Sequence, residues 1–317
     1  MDKCYSAFGL ALRSSFLLPG MTTAEADQAS FPLDLRLQTT AELEKAWSGS
    51  VSAQPWSGQL GDGQSLTIAW GTAGDLLIDY SGGARFLLDS SRPSLVCAPQ
   101  DPAALAWKRV LLGRVLPNVA LAFGCEALHA GAIETSFGVV AIAGPSGAGK
   151  SSLTAELMRR GCSLFADDVL VLDRRDGAIA AHPGSPHTNL DSGPAGGVAP
   201  EELGTVLAEF DSERWIGVRG ASRKVSRVAA IALLERGPGL ALAAEGVPPS
   251  PIALAPHMLG LPDDESGREA SRFALYSDLV ESTALLRLTA GPDHGPADLA
   301  TALQRALDTS LPTRAVA

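Results

Sequence analysis

The sequence predicts an α/β fold with α+β character: a mixed sheet built around a glycine-rich strand–loop–helix unit, with a small β-rich domain before it. Three observations predict this. First, an apolar run, Phe137-Gly-Val-Val-Ala-Ile-Ala143, leads into Gly144-Pro-Ser-Gly-Ala-Gly-Lys150-Ser151, and a helical pattern follows over Ser152–Arg160. Second, the apolar stretches 164–172 and 178–182 are joined by Asp173-Arg-Arg-Asp-Gly177. A polar turn that short requires antiparallel pairing, so the sheet is mixed rather than purely parallel. Third, strand-like runs over 65–70, 75–80 and 85–89 alternate with Gly-rich turns, the pattern of a small antiparallel sheet.

In chain order, Phe8, Leu10 and Leu12 alternate and read as the first strand. Ala41–Trp47 reads as a short helix, and the three runs above follow as strands. Asp101-Pro102 suits a helix start, with Asp as N-cap and Pro at the first helical position. Ala104, Leu105, Val110, Leu111, Leu112 and Val115 supply that helix with an apolar face, and Pro117 ends or kinks it. The predicted division is therefore a β-rich part over 1–100, a bridging helix over 101–124 and a second domain over 125–317. Within the second domain, Arg160-Gly161 is a turn and 183–190 a loop. Gly193–Gly197 is a glycine-rich segment, and Pro200-Glu-Glu-Leu starts a helix. Val228–Leu234 is a buried strand by its unbroken apolar character. Ala297–Leu307 is a helix of good formers.

The stretch 144–151 reads G-x-x-x-x-G-K-S in the strand–loop–helix context that a phosphate-cradling loop requires. Glycines let its backbone take positive φ and bring N–H groups close to phosphate oxygens. The helix N-terminus adds partial positive charge at the same point. The candidate nucleotide-binding set is Gly144, Ser146, Gly147, Ala148, Gly149, Lys150, Ser151 and Ser152. Lys150 reaches the β- and γ-phosphates, and Ser151 holds Mg²⁺. The expected ligands are ATP and Mg²⁺. Only five lysines occur in the whole chain, which makes Lys150 conspicuous.

Asp167 and Asp168 interrupt the apolar run 164–172, 17 and 18 positions after Lys150. Adjacent carboxylates inside a strand are costly unless paired, bound to metal or placed at a site. Side chains alternate along a strand, so one Asp is expected to face the γ-phosphate and the other a second role. The expected strand lies immediately beside the one that enters the loop.

Gly144–Ser151, Arg160-Gly161 and Ala166-Asp167-Asp168 together resemble the HPr kinase/phosphorylase family, as does His129-Ala130-Gly131 upstream. The resemblance is specific over 125–175 and weaker beyond. It implies a phosphoenolpyruvate carboxykinase-like mixed sheet and ATP- and Mg²⁺-dependent phosphorylation of a serine hydroxyl on a protein. It implies catalytic roles for Asp167, Asp168, His129 and Lys150. Asp167 is the first choice for orienting the hydroxyl and taking its proton; Asp168 is the second choice, or a Mg²⁺ ligand alongside Ser151. The family's second signature, E-x-R-G-x-G, has only Val218-Arg219-Gly220-Ala221 as its counterpart here. The start, Tyr5–Ser14, looks like the subgroup that phosphorylates the C-terminal serine of lasso-peptide precursors. The family is often hexameric, so the resemblance admits a homo-oligomer.

Composition sets the outer bounds. The chain has 317 residues, 46% hydrophobic and 19% charged, with a net charge of −10. There is no basic run, so no nucleic-acid partner is expected. No apolar run approaches the roughly 20 residues that span a bilayer, so no membrane partner is expected either. Cys4, Cys97, Cys125 and Cys162 show no C-x-x-C spacing and fit a reducing cytoplasm. His182, His257 and His294 read as surface or loop residues, and His187 as a loop residue near the site. Arg219, Arg223, Lys224 and Arg227 form a basic cluster, either a solvated turn or a clamp. In the clamp reading, Arg223 and Lys224 bind nucleotide phosphates or a substrate carboxylate. Glu201, Glu202, Glu209 and Asp211 are candidates for a second Mg²⁺ ligand. The function expected is a serine kinase acting on a precursor peptide or small protein. The alternatives are an HPr-type protein kinase, a non-catalytic nucleotide sensor and a small-molecule kinase.

Overall fold

The computed structural model describes residues 2–23, 31–47, 51, 54–60, 63–72, 74–89, 91–191, 197–210, 213–261 and 267–311. Gly193–Gly196 of the glycine-rich segment and Asp211 lie outside these residues. The chain forms two compact units, one of Met1–Gly124 with Gly260–Ser266, the other of Cys125–Leu259 with Gly267–Ala317.

The first unit runs β1 (Lys3–Ala7), β2 (Leu10–Ser14), β3 (Phe31–Leu37), α1 (Thr40–Ala46), β4 (Trp56–Gln59), β5 (Ser65–Trp70), β6 (Leu76–Tyr80), β7 (Ala84–Asp89), β8 (Ser94–Pro99), α2 (Ala106–Val110) and α3 (Leu116–Ala122). Its described strands form one sheet in the order β1-β2-β3-β8-β7-β6-β5-β4. The sheet is not purely antiparallel: β3 runs parallel to both β2 and β8. The alternation at Phe8, Leu10 and Leu12 belongs to a hairpin instead of one strand. Phe8 and Gly9 both take positive φ, 56° and 78°, and close a tight turn between β1 and β2. Helix α1 is set by a full capping box between Thr39 and Glu42. It buries Leu43 against Leu77, Leu87 and Ala98.

Two expectations for 101–124 are corrected. Asp101 does not cap a helix; its carboxylate accepts the Ala103 N–H at 2.9 Å, a local turn, and helix starts only at Ala106. Pro117 does not end the helical run either. A π-helical turn, Leu111–Val115, sits just before it, and Pro117 falls in the first turn of α3, where no N–H is needed.

The second unit runs β9 (Glu126–Thr135), β10 (Gly138–Ala143), α4 (Lys150–Arg159), β11 (Ser163–Ala166), β12 (Val169–Arg175), β13 (Ala178–His182), β14 (His187–Asp191), α5 (Pro200–Leu203), β15 (Gly204–Glu209), β16 (Glu213–Val218), β17 (Val228–Arg236), β18 (Ala243–Gly246), a 3-10 helix (Pro251–His257), β19 (Met258–Leu259), α6 (Glu269–Ser282), β20 (Ala284–Ala290) and α7 (Pro296–Ser310). Its main sheet has the order β13-β12-β9-β10-β17-β20-β18, with β11 and β19 also on β9. The β10–β17 and β17–β20 pairs are parallel and the rest antiparallel, so the sheet is mixed. A smaller sheet has the order β14-β16-β15.

Strand β10 is apolar throughout because both sheet faces are covered. Val139, Ala141 and Ala143 belong to one core with Leu275, Tyr276 and Leu279 of α6. Val140 and Ile142 belong to the other, with Leu153 and Leu157 of α4 and Leu299, Leu303 and Leu307 of α7. Each of these fully buried leucines contributes about 1.5–3 kcal/mol. Helices α4 and α7 are further tied by Arg160, which donates to Thr301, Gln304 and the Ala297 carbonyl while bonding Glu156 at 2.7 Å. The Arg160-Gly161 pair thus has a structural use: the arginine clamps two helices, and Gly161 takes φ 97° where α4 ends.

Candidate active site

The site grows out of the end of β10. After Ala143 the chain leaves the sheet, turns through 144–149 and enters α4 at Lys150. Gly147 and Gly149 have φ of 76° and 98°, conformations that β-carbons disfavour. Gly144 is constrained differently: a β-carbon there would lie 2.6 Å from the Leu234 carbonyl oxygen on β17. Pro145, Ser146 and Gly147 are exposed at the crest of the loop, while Gly144, Ala148 and Lys150 are buried. Ser151 and Ser152 follow in the first turn of α4, so this end presents unpaired N–H groups suited to an anion.

Lys150 folds back over the loop. Its Nζ donates to the Gly144 carbonyl at 2.9 Å and the Pro145 carbonyl at 3.1 Å. Burial pulls the ammonium's pKa down, and the carboxylates of Asp168 and Asp167 act in the opposite direction. The structure therefore brings both aspartates into the field of the loop lysine.

The aspartates do not lie within a continuous strand as the sequence pattern suggests. Strands β11 and β12 are two stretches paired to the same strand, β9, with Ala166 opposite Ala132 and Val169 opposite His129. Asp167 and Asp168 form the irregular step between them. Asp168 takes φ 62°, the left-handed region that Asp tolerates better than most residues. The Val169 N–H bonds back to the Asp167 carbonyl at 2.7 Å, a tight turn at Asp168 that breaks the simple alternation of faces. The aspartate strand is also not beside β10: β9 lies between, because 135–138 closes a β9–β10 hairpin.

Around this step the backbone is pinned. The Asp168 carbonyl accepts from the Ala130 N–H and lies 3.0 Å from His129 Nδ1. The Asp167 carboxylate accepts the Asn189 N–H of β14 at 3.0 Å, which fixes its direction. Beside that amide, Thr188 Oγ1 and Asn189 Oδ1 are buried with no partner among the described residues. A bound molecule or water would satisfy them. His129 shares a face of β9 with Gly131 and Ile133. Ile133 packs in the core with Leu153 and Leu157, and a β-carbon on Gly131 would come 2.8 Å from Thr154 Oγ1. That row places His129 toward the N-terminal end of α4.

Other expectations fare differently. His257 is not a bystander: it is partly buried, and burial, Lys150 and His129 all lower its pKa. His182 is buried, with Nε2 3.0 Å from Asp173 Oδ1. His187 is buried and stacked on Trp215 at 4.8 Å between ring centroids. In the basic cluster, Arg219 donates to the Glu201 carbonyl and Arg227 to the Phe137 carbonyl. Arg223 and Lys224 are exposed and have no side-chain partner among the described residues. Glu202 bonds the Ala199 N–H and Glu209 pairs with Arg214; Glu201 is exposed on α5. Arg236 was not foreseen. It ends β17, donates to the Gly291 and Pro292 carbonyls, and holds Nη1 3.5 Å from where a Gly149 β-carbon would stand. A signal existed: ligands of α/β sheets gather at the carboxyl ends of parallel strands, and Arg236 ends the parallel neighbour of β10.

No three His, Cys, Asp or Glu side chains among the described residues form a metal cage. Mg²⁺ shared with phosphates needs only one or two protein oxygens plus water. Ser151 and Asp168 are hard oxygen donors of that kind. Among the described residues no helix is long and apolar enough to cross a membrane.

No protein-family model matches the chain, and no curated protein matches it. Among solved structures, the Hpr(Ser) kinase/phosphatase from Coxiella burnetii is similar over 56% of this chain and 94% of that chain, with a TM-score of 0.30 and 13% identity. At that level no residue's role carries over from it.

Proposed function

We propose that this chain is an ATP- and Mg²⁺-dependent kinase of the HPr kinase type that transfers the γ-phosphate to a serine hydroxyl of a peptide or small protein. The finer reading is the C-terminal serine of a lasso-type precursor peptide, and the start of the chain and the altered second signature support it over HPr. One observation carries the kinase reading: a phosphate-loop lysine lies in the field of two aspartates, one of them held at positive φ between β11 and β12.

The loop amides of 146–152 hold the β- and γ-phosphates. Lys150, now bonded to two loop carbonyls, turns its ammonium to the phosphate oxygens that outcompete them. Ser151 and Asp168 would hold Mg²⁺, which when bound would neutralise phosphate charge. Asp167, aimed by the Asn189 N–H, accepts the hydroxyl proton as the hydroxyl oxygen bonds to the γ-phosphorus and the bond to the bridging oxygen of ADP breaks. Arg223 and Lys224, exposed and unspent, are the candidates to hold an acidic or carboxylate group of the substrate.

The test is Asp167→Asn. It is expected to lower turnover at least a hundredfold with the ATP dissociation constant within threefold of wild type. Equal loss at both steps refutes the assignment of Asp167 as base. Bound ATP with no transfer to any hydroxyl substrate favours a nucleotide sensor instead.

A further inference from the structure

We propose that His257 is a phosphate-contacting residue of this site, flanking the terminal phosphate on the side of β9 opposite Asp167 and Asp168. The inference rests on the nucleotide reading above.

Strand β10 pairs with β9 up to Ala143 opposite Ala130, then leaves as the phosphate loop. The edge of β9 that it vacates is taken over by β19, with Met258 opposite Leu128 and Leu259 opposite Ala127. His257, the last residue of the 3-10 helix, immediately precedes that ladder, so its backbone enters the vacated edge of β9 one step before the Met258–Leu128 pair, near His129 and the end of β10. His257 therefore stands beneath the start of the loop, where the Gly144 and Pro145 carbonyls hold Lys150.

His129 lies in the row of β9 that faces α4, with Gly131 against Thr154 and Ile133 among the α4 leucines. His257 lies within electrostatic reach of both His129 and Lys150 at the N-terminus of that helix. The aspartates come from the other edge of β9, through β11 and β12. A phosphate cradled by the loop is then bracketed, with the carboxylate pair on one edge, His129 in the middle and His257 on the other.

The electrostatics agree with this placement. The charged groups acting on His257 are Lys150 from α4 and His129 from β9, and both disfavour its protonation in addition to burial. An imidazole that is neutral beside a lysine still offers one N–H donor to a phosphate oxygen.

The experiment compares direct binding of a non-hydrolysable ATP analogue and of ADP, with Mg²⁺, to wild type, His257→Ala and His257→Gln. Thermal melts verify that each variant is folded. Losing a hydrogen bond to a charged group is expected to weaken the triphosphate about 10- to 100-fold in His257→Ala. ADP binding is expected to change less than threefold, since its last phosphate stays with the loop. Gln, which retains an N–H donor, is expected to restore most of the loss. Equal weakening of both nucleotides identifies a merely structural prop and overturns the proposal, as does unchanged binding of both. A wild-type protein that binds neither nucleotide removes the nucleotide reading itself, and the proposal with it.

Discussion

Replacing Gly144 by Ala probes the packing that shapes the loop. The new β-carbon would lie 2.6 Å from the Leu234 carbonyl oxygen and 3.3 Å from the Leu234 β-carbon. Ordinary contact begins near 3.4 Å, so β10 and β17 must part by about 0.8 Å at this point. The opposing atom is backbone in a parallel ladder, where Ala143 pairs with Leu233, so no side-chain rotation relieves the clash. Overpacking of this kind costs about 1–3 kcal/mol. At about 2–4 °C per kcal/mol for a domain of this size, the melting temperature falls by roughly 2–12 °C. The displacement falls where the chain leaves the sheet, so nucleotide binding is expected to weaken in proportion. Gly147→Ala is the control. It meets nothing within 4 Å and suffers only its φ of 76°, a cost of about 1–2 kcal/mol confined to the loop crest. Urea melts with titration of a fluorescent ATP analogue read both effects. A Gly144→Ala protein that melts and binds like wild type refutes the reasoning.

Two further predictions concern the clamp on α4. The guanidinium groups of Arg159, foremost, and Arg160 hold the Glu156 carboxyl at a pKa of about 2, against an ordinary 4.5. Because the folded-state pKa is depressed, the stabilisation is complete above pH 4.5 and drains away as pH falls toward 2; it amounts to about 3 kcal/mol at most. Urea melts between pH 6 and 3 should show this loss, and Glu156→Gln should flatten it. Arg160→Ala should cost about 2 kcal/mol through the lost bonds to α7, with turnover per folded molecule unchanged, read by melts beside a transfer assay.

What the sequence made legible is largely local. The glycine spacing of 144–149 marks a strand–loop–helix unit because positive φ and helix entry are properties of adjacent residues. Strand β17 announced itself by the seven-residue apolar run Val228–Leu234, buried throughout, and α7 by helix formers behind Pro296. The short polar stretch 173–177 disclosed antiparallel pairing, and with it a mixed sheet, although the turn itself is only Asp176–Gly177 and Asp173–Arg175 belong to β12. What escaped reading depends on partners distant in the chain. The irregular step at Asp167–Asp168 depends on β9, which pairs with β11 before it and with β12 after it, and nothing in 164–172 encodes that distant partner. His257 was dismissed because a two-residue strand pairing 130 positions away leaves no periodicity to detect. Parallel placement of β3 between β2 and β8 is hidden for the same reason. The Phe8-Gly9 turn was local and still missed, since an aromatic at positive φ disguises a hairpin as an alternating strand.

The most direct test of the kinase reading is a mass spectrum of substrate after incubation with ATP and Mg²⁺, for wild type and Asp167→Asn, with a lasso-type precursor peptide ending in serine and HPr as acceptors. A phosphate-sized mass gain on the precursor, located by fragmentation on its C-terminal serine, is expected with wild type and none with the variant. Gain on HPr alone would keep the kinase and reassign its substrate. No gain on any hydroxyl acceptor by a protein that binds ATP would contradict the account.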